Sequence, residues 1–432
     1  MKVPVFSKMK KEDIMSISQV IRQLNRDQAR AVLRSLMAND FSIIEGFPGS
    51  GKTQTVVALV CCLIVLGRTV LLTSYTHSAV DNILLKLVEI VDEHKILRLG
   101  YSSAITKNLQ HLTLEAKLSK YSGEERIVFN YYKFQPIVAC TCLAVSTNLL
   151  FSYRRFSMTI VDEASMVLEP TVISAISVSD SFVLLGDHRQ LTPLVCSEEA
   201  RQEGMAKSLL ERLSVHLSAV VTLHSQYRMN EPITQLSSRL FYENKLQCFS
   251  FDSVNHASIY SEVYKLCLSN SLNDAIVFLD TNSIKNAVFR ATFGKHGDVF
   301  NDGEAEFIEG ICKLFISLGL KECDLGVISF YRYHAERLSQ KVGANIEVNT
   351  VDQYQGKDKS VIVLSFVWTK EKKNQRSDLL ADFRRVNVAI TRAKHKLIMI
   401  GCRKSLSRLR TNYFISLFFE ESKIDDLVIQ IF

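Results

Sequence analysis

Residues 43–60 read IIEGFPGSGKTQTVVALV: a short apolar run, a glycine-rich turn and a long run of helix-forming residues. The turn fits the pattern G-x-x-x-x-G-K-[ST]. Between a strand and a helix, such glycines let backbone N–H groups crowd around phosphates, and the helix amino terminus adds its positive end. The pattern therefore predicts an ATP site formed by Gly46, Pro48, Gly49, Ser50, Gly51, Lys52, Thr53 and Gln54. Lys52 would neutralise the β- and γ-phosphates, and the Thr53 hydroxyl would bind Mg²⁺.

Such a site needs a second strand that ends in carboxylates. Residues 157–161, SMTIV, are followed by Asp162 and Glu163. Asp162 would hold Mg²⁺ through water, and Glu163 would orient or deprotonate the attacking water. Taken alone, two acidic residues are equally typical of a helix amino terminus. Downstream of a phosphate loop, we interpret them as catalytic.

Strands alternate with helices along the chain, which favours parallel sheets covered by helices. The length of 432 residues allows two or three domains. We predict an extension over 1–24, a first α/β domain over 25–247, a linker over 248–274, a second α/β domain over 275–410 and a tail over 411–432. A polar, helical insertion is expected at about 101–135. Strands are predicted at 41–45, 69–74, 137–140, 158–162, 182–185, 276–279, 325–329, 347–350, 361–366 and 397–400, and helices at 52–66, 78–91 and about 206–213.

The composition of the chain excludes few classes of protein or partner. A net charge of +7 permits nucleic acid as a partner without demanding it, since a basic surface is common on enzymes. The apolar stretch 56–67 is too short to span a bilayer, and residues 1–15 lack the pattern of a secretory signal, so no membrane partner is expected. None of the ten cysteines forms a C-x-x-C pair, which favours reduced thiols in an intracellular compartment over a metal site.

Four further polar strings follow the phosphate loop: LLGDHRQLTP at 184–193, SQYRM at 225–229, VDQYQG at 351–356 and RRVNVAITRAK at 384–394. In the first of these, Gln190 follows a strand and could sense the γ-phosphate. Taken together and in this order, the strings resemble the superfamily 1 helicases of class B, the Upf-like group, from about residue 24 to residue 401. The resemblance implies an α/β fold of two tandem RecA-like P-loop domains that use ATP and Mg²⁺.

The resemblance also implies roles for individual residues. Gln28 is similar to a glutamine that reads adenine, and Tyr227 to a tyrosine that stacks on it. Arg228 and Arg392 resemble two arginine fingers, one from each side of a cleft, which would couple hydrolysis to cleft closure. The remaining matches are expected near the nucleotide: Gln355 and Gly356 in a turn beside the γ-phosphate, and Glu304 with Asn301 in an N-x-x-E-A string.

Nucleic acid is expected at the strand ends. The candidate contacts share hydroxyl, amide or imidazole groups: Thr73, Ser74, Thr76, His77, Asn82, Thr141 and Thr350. Contacts of this kind to phosphates suit a motor that must step over any sequence. Alternatively the same residues cap helices, and both roles can hold at once.

Several of these sequence motifs are most similar to the motifs of family members that act on DNA in replication and repair and also carry a nuclease. This similarity implies a motor on single-stranded DNA, moving 5′→3′, in the nucleus, with Okazaki-fragment maturation as its setting. Two features depart from that group: few residues precede the nucleotide motifs, and Thr192 stands where the family usually has proline. Glu-x-Lys triplets at 93–95 and 371–373 follow no strand with a matching Asp, so we expect no nuclease site in this chain.

Three alternatives stay open from the sequence. The chain could be an Upf-like RNA helicase, the carboxyl-terminal part of a longer helicase/nuclease, or a non-catalytic clamp. A clamp is disfavoured because Lys52, Glu163, Arg228 and Arg392 are all present. The sequence leaves the protein partners and the oligomeric state open.

Overall fold

The computed structural model describes residues 10–118, 132–249, 275–282, 288–294, 298–369 and 378–407. The chain divides into two compact units, Met1–His224 and Ser225–Phe432.

The first unit contains a seven-stranded sheet in which every pairing is parallel. In chain order its strands are β1 Phe41–Gly46, β2 Val70–Ser74, β3 Ile96–Arg98, β4 Ile137–Thr141, β5 Phe156–Asp162, β6 Ser179–Gly186 and β7 Val220–Leu223. They lie side by side in the order β3-β4-β2-β5-β6-β1-β7. The carboxyl ends of these strands therefore share one edge, where a ligand site of a parallel sheet is expected.

Helices cover both faces of this sheet. Those described are α1 Lys11–Arg22, α2 Arg26–Met37, α3 Lys52–Val65, α4 His77–Leu87, α5 Leu114–Leu118, α6 Cys142–Thr147, α7 Glu169–Ile176, α8 Glu198–Gln202 and α9 Leu209–Leu213. One apolar core joins α1–α4 to side chains such as Ile44 and Leu72, and a second joins α6, α7 and α9 to the opposite face through Ile43 and Leu71. Strand residues that alternate between two cores explain why the strands are apolar on both faces.

The second unit contains a five-stranded parallel sheet. Its strands are β10 Ile276–Asp280, β13 Leu325–Ser329, β14 Glu347–Thr350, β15 Lys359–Ser365 and β16 Ala393–Gly401. They lie side by side in the order β10-β16-β15-β13-β14. Two small ladders pair β8 Ser225–Gln226 with β9 Gln247–Cys248, and β11 Thr292–Phe293 with β12 Val299–Phe300. The helices are α10 Glu231–Phe241, α11 Asp302–Ser317, α12 Arg332–Lys341, α13 Asp378–Ala381, α14 Phe383–Ile390 and α15 Arg403–Leu406.

The predicted fold class is confirmed: each unit is built on a parallel sheet with helices against it. Every predicted strand is present, with ends shifted by a few residues at most. Strands β3 and β7, the short ladder strands of the second unit and most of the helices, α1 and α2 among them, were not predicted. The helix expected to reach residue 91 ends at Leu87, and the one expected from about 206 begins at Leu209.

The division between units differs from the predicted boundary at 247. It falls between His224 and Ser225, because α10 packs against α14 and β16 of the second unit. The described part of the expected insertion holds the 3₁₀ turns Ser102–Ala104 and Lys107–Leu112 and helix α5. The predicted linker from residue 250 onward and the predicted tail lie outside the described residues.

Among the helices that the structure describes, none is both long enough and apolar enough to cross a membrane.

Candidate nucleotide site and nucleic-acid edge

The phosphate loop connects the end of β1 at Gly46 to the start of α3 at Lys52. Gly49 and Gly51 adopt left-handed backbone angles, with φ of 70° and 78°, which glycine accepts without strain. The Lys52 ammonium folds back and donates to the carbonyl of Gly46 at 2.8 Å. A Cβ atom on Gly46 would lie 2.4 Å from Lys52 Cγ, so only glycine leaves room for this lysine. These contacts define the shape of the loop.

The side chain of Gln28 contacts the phosphate loop. It completes a capping box with Asn25 at the start of α2, in which each side chain accepts from the other's backbone N–H. Its Nε2 donates to the carbonyl of Ser50 at 3.1 Å. A Cβ atom on Gly51 would lie 2.4 Å from Gln28 Nε2. The described contacts of Gln28 therefore hold the loop, and its predicted reading of adenine stays a prediction.

Asp162 ends strand β5 opposite Ser74 of β2. The carboxylate is buried, and its Oδ1 has no hydrogen-bond partner among the described residues. Burial raises the pKa of Asp162, the charge of Glu163 raises it further, and the nearby Lys52 ammonium lowers it. The net effect is a pKa of Asp162 raised to about 7, with burial as the main cause.

Glu163 follows in a left-handed conformation with φ of 52°, which is unusual for a residue with a side chain. Such a conformation costs about 1–3 kcal/mol and is found most often at functional sites. The turn packs tightly against the end of β6, since a Cβ atom on Gly186 would lie 3.0 Å from the backbone N of Ser165. The neighbouring strand therefore holds the strained turn in place.

Gln190 lies in the loop after β6, which separates β5 from β1 in the sheet. Asp187 shapes this loop: its Oδ1 accepts from Arg189 N at 3.0 Å, and its carbonyl accepts from Gln190 N at 3.0 Å. Gln190 Nε2 is buried without a partner among the described residues, as is Ser50 Oγ.

Together with Asp162 Oδ1, these two atoms give three buried polar atoms without described partners beside three adjacent strands. Buried polar atoms are costly unless they are hydrogen-bonded, so this edge fits a polar ligand. An ammonium, a hydroxyl, an amide N–H and a carboxylate together suit a phosphate with a hydrated Mg²⁺.

A polar pair beside the loop was not predicted. Glu45 precedes Gly46 in β1, and its carboxylate lies 2.5 Å from His188 Nδ1 and accepts from Thr222 Oγ1 at 3.2 Å. The hydrogen bond to Glu45 raises the pKa of His188 against the opposing effect of burial. This pair links the ends of β1, β6 and β7. Its signal in the sequence was a single glutamate in an otherwise apolar strand.

The two predicted arginine fingers both belong to the second unit, and their roles on the two sides of a cleft stay predictions. Arg228 Nε lies 3.3 Å from Asp358 Oδ1, and its Nη1 donates to the carbonyl of Thr391. Arg392 is buried and donates through Nε to the carbonyl of Val388 at 2.9 Å. Buried Gln226 shapes the turn that carries Arg228, since its Oε1 accepts from the backbone N–H groups of Arg228 and Met229.

Comparison with known proteins finds matches along most of the chain. Two family models, each described as an AAA domain, match residues 23–133 with 122–198, and residues 205–404. The DNA replication ATP-dependent helicase/nuclease DNA2 of Bos taurus is 41% identical over 415 residues, covering 91% of this chain and 38% of that protein. The Homo sapiens protein of that name is 40% identical, with the same coverage. The Saccharomyces cerevisiae protein is 32% identical, covering 89% of this chain and 26% of that protein.

The chain belongs to the superfamily 1 Upf-like helicases and is related to DNA2. It spans 38% of the length of the vertebrate relatives just named. A solved structure, described as a complex of Arterivirus nonstructural protein 10 (helicase) with DNA, matches with a TM-score of 0.45 and 15% identity, over 89% of this chain and 64% of that chain.

The predicted nucleic-acid residues of the first unit fall into two groups. Thr73, Ser74 and Thr141 are buried, and Thr73 Oγ1 donates to Cys142 Sγ at 3.3 Å, so the strand ends offer few free hydroxyls. Three more lie further out: Thr76, which caps α4 by accepting from Ala79 N, half-buried His77 and exposed Asn82.

The predicted residues of the second unit are also placed. Tyr227 is half-buried, with its ring 5.1 Å from that of Phe249. Gly356 is exposed with φ of 81°, and Gln355 beside it and Thr350 at the end of β14 are half-buried. The roles of these residues stay predictions.

Glu304 has a buried carboxylate with several hydrogen bonds. It is fully buried, and its carboxylate accepts from Asn301 Nδ2, Ser365 Oγ and the backbone N of Val367. Burial raises the pKa of Glu304 to about 7. The described contacts of Glu304 hold the segment after β15, and its predicted role near the nucleotide stays a prediction.

The Glu-x-Lys triplet Glu93–Lys95 forms an exposed 3₁₀ turn, in which Glu93 pairs with His111. The triplet at 371–373 lies outside the described residues. Within the part of the chain that the structure describes, no group of three or more His, Cys, Asp or Glu side chains could hold a metal ion. The cysteines described there are free thiols, with Cys196 and Cys323 exposed.

Proposed function

We propose that this chain is the ATP-driven motor of a DNA helicase that acts on single-stranded DNA in replication and repair, moving 5′→3′ in the nucleus. One observation carries the proposal: the Lys52 loop, Asp162 with Glu163, and Gln190 come together at one edge of the first sheet. The names of the relatives, DNA replication ATP-dependent helicase/nucleases, support DNA as the nucleic acid along which the motor moves.

The residues divide the work as follows. Lys52 and the loop N–H groups bind and neutralise the phosphates, while Thr53 and Asp162 hold Mg²⁺. Glu163 orients a water molecule and accepts its proton, and Gln190 positions that water relative to the γ-phosphate. Mg²⁺-ATP, when bound, would supply the phosphoryl group. Transfer of that group to water would build up negative charge in the transition state.

Arg228 and Arg392 stabilise that charge. Arg228 lies beside Asp358. It must exchange that partner for the phosphate before its positive charge can stabilise the transition state. A motor that must hydrolyse ATP only at the right point of its cycle needs such an exchange of partners.

The test is ATPase activity with single-stranded DNA and with single-stranded RNA of matched length and base content. We expect DNA to stimulate hydrolysis more than RNA, and Lys52→Ala to abolish it on either. A suitable control is Lys313→Ala, which removes an exposed lysine that pairs with Glu309 on helix α11. Stronger stimulation by RNA would assign the chain to the RNA-directed members of its family, and full activity of Lys52→Ala would refute the nucleotide site.

We also propose that this chain hydrolyses ATP without cutting DNA, because the carboxylates that converge are committed to the nucleotide's Mg²⁺. The measurement is the release of labelled fragments from a flapped DNA with Mg²⁺ or Mn²⁺ and without ATP. Cutting that persists in Lys52→Ala after repeated purification would mean that a second active site is present.

A further inference from the structure

Exposed apolar side chains follow the carboxyl ends of three neighbouring strands in the first unit. Tyr75 comes directly after β2 and is 47% exposed, Leu143 follows β4 and is 64% exposed, and Tyr101 follows β3 and is 83% exposed. The strands lie in the order β3-β4-β2, so the two tyrosines leave the sheet two strand spacings apart, about 10 Å. Single exposed apolar side chains are common, but a group of them at one edge of a sheet marks a candidate interaction site.

His77 joins the tyrosines. It begins α4, two residues after Tyr75. A Cβ atom on Gly100 would lie 3.1 Å from His77 Cε1, so the backbone just before Tyr101 packs against the imidazole ring. Gly100 has φ of 149°, a conformation that favours glycine, and a side chain there would push the two segments apart. The loop after β3 and the start of α4 therefore form one surface.

A buried ion pair supports this surface. Arg98, at the end of β3, is fully buried, and its Nε donates to Asp81 Oδ1 of α4 at 2.9 Å. The other oxygen of Asp81 accepts from Thr106 N at 2.8 Å. Arg98 Nη1 donates to the carbonyl of Leu99 at 2.8 Å. The pair thus ties together β3, α4 and the segment that follows Tyr101.

The same arginine fixes the state of His77. Arg98 Nη2 lies 3.1 Å from His77 Nδ1, and since a guanidinium can only donate, Nδ1 must accept. Burial and the charge of Arg98 lower the pKa of His77, which keeps the ring neutral with its proton on Nε2. The imidazole therefore presents one N–H donor in a fixed direction.

The chemistry around the rings suits a nucleic-acid strand. Helix α4 has no acidic residue in its first turn, so its amino terminus can face a phosphate. Beside it, Ser74 Oγ is buried and has no hydrogen-bond partner among the described residues. The Glu115 carboxylate, which accepts from Ser102 Oγ at 2.9 Å, lies near Tyr101 and opposes a phosphate at that point, so the phosphate groups are expected on the α4 side. Flat amphipathic rings next to phosphate-binding groups are the pattern on which single-stranded bases stack.

We propose that Tyr75 and Tyr101 form a base-stacking platform for single-stranded nucleic acid, with His77 as a fixed hydrogen-bond donor between them and the Arg98–Asp81 pair as its buried support. The inference rests on the proposed function and adds a contact to bases that the strand-end hydroxyls cannot make. Stacking is indifferent to base identity, since every base has a π face, and so it suits a motor that steps along any sequence.

The experiment compares two oligomers of equal length, one of thymidine and one whose central nucleotides are abasic. Affinity is measured by fluorescence anisotropy for the wild-type chain and for Tyr75→Ala, Tyr101→Ala, Tyr75→Phe and Tyr101→Phe. Each alanine variant should lose about 5- to 150-fold in affinity for the thymidine oligomer and much less for the abasic one. The phenylalanine variants should keep most of the affinity because they keep the ring.

Two controls separate stacking from general damage. Tyr153→Ala removes another tyrosine, 62% exposed, just before the amino end of β5 and so on the opposite edge of the sheet, and it should bind as wild type does. The dependence of affinity on salt should be unchanged in every tyrosine variant, because the phosphate contacts remain.

Equal losses on the thymidine and abasic oligomers, or no loss at all, would overturn the platform. Failure of the wild-type chain to bind any single strand would instead refute the proposed function, and the platform with it. Because the wild-type chain is measured first, the two failures are distinguishable.

Discussion

Removal of Arg98 tests how much the first unit depends on one buried ion pair. In Arg98→Met, Asp81 keeps its contact with Thr106 N but loses its counter-charge at a site where its side chain is 2% exposed. Breaking a buried pair from one side typically costs about 3–5 kcal/mol, because the charge left behind is uncompensated. For a unit of this size that corresponds to a fall in melting temperature of roughly 6–20 °C.

The double variant Arg98→Met with Asp81→Asn is the informative control. The amide that Asp81→Asn introduces can still accept from Thr106 N but carries no charge. The double variant should therefore be more stable than the sum of the single effects predicts, by about 0.5–3 kcal/mol. Thiol labelling during a thermal ramp, read by mass spectrometry, reports on the first unit through Cys140 and Cys142, which are both buried there. Additive losses would show that the two charges do not act as a unit.

Three further predictions concern the nucleotide and the second sheet. Glu163→Gln should bind ATP about as well as wild type but turn over slowly, and steady-state ATPase with nucleotide-binding measurements would decide this; full turnover would contradict the assignment. Arg228→Ala and Arg392→Ala should each lower kcat by about 10³ with a smaller change in nucleotide affinity; a loss confined to affinity would contradict a role in the transition state. For Glu304, burial raises the folded-state pKa from 4.5 to about 7, so the folded chain holds a proton that the unfolded chain has released. Its contribution to the free energy of unfolding should therefore be complete at low pH and lost as pH rises toward about 7; Glu304→Gln should flatten this dependence in denaturant titrations, and an unchanged slope would contradict it.

The sequence predicted the fold well where apolar runs are long. Strands such as β2 and β13 are continuous apolar segments between polar turns, and their existence follows from composition alone. Strand β3 has only three residues and follows a polar 3₁₀ turn, so it has no period to detect. Helix α1 is amphipathic and does carry a helical period, which could have been recognised.

The candidate site was predictable where a motif fixes both chemistry and position. The phosphate loop and the end of β5 meet at one edge because parallel strands align their carboxyl ends, so strand order alone brings Lys52 and Asp162 together. The assignment of Arg228 to the second unit depends on how α10 packs, and no local pattern reveals it. The buried role of Glu304 likewise depends on Ser365, 61 residues away in the chain.

The place of β1 in the sheet has a consequence for how the protein is made. The phosphate-loop strand is synthesised long before either of its neighbours in the sheet, β6 and β7. At about 5–20 residues per second, the ribosome needs roughly 7–27 s to proceed from the end of β1 to the start of β6. Throughout that interval both hydrogen-bonding edges of an apolar strand lack their native partners, which makes the nascent chain prone to aggregation. Synthesis interrupted before residue 220 would leave a product with the complete phosphate-binding motif and an open strand edge, and therefore a target for chaperones or proteases rather than a smaller ATPase.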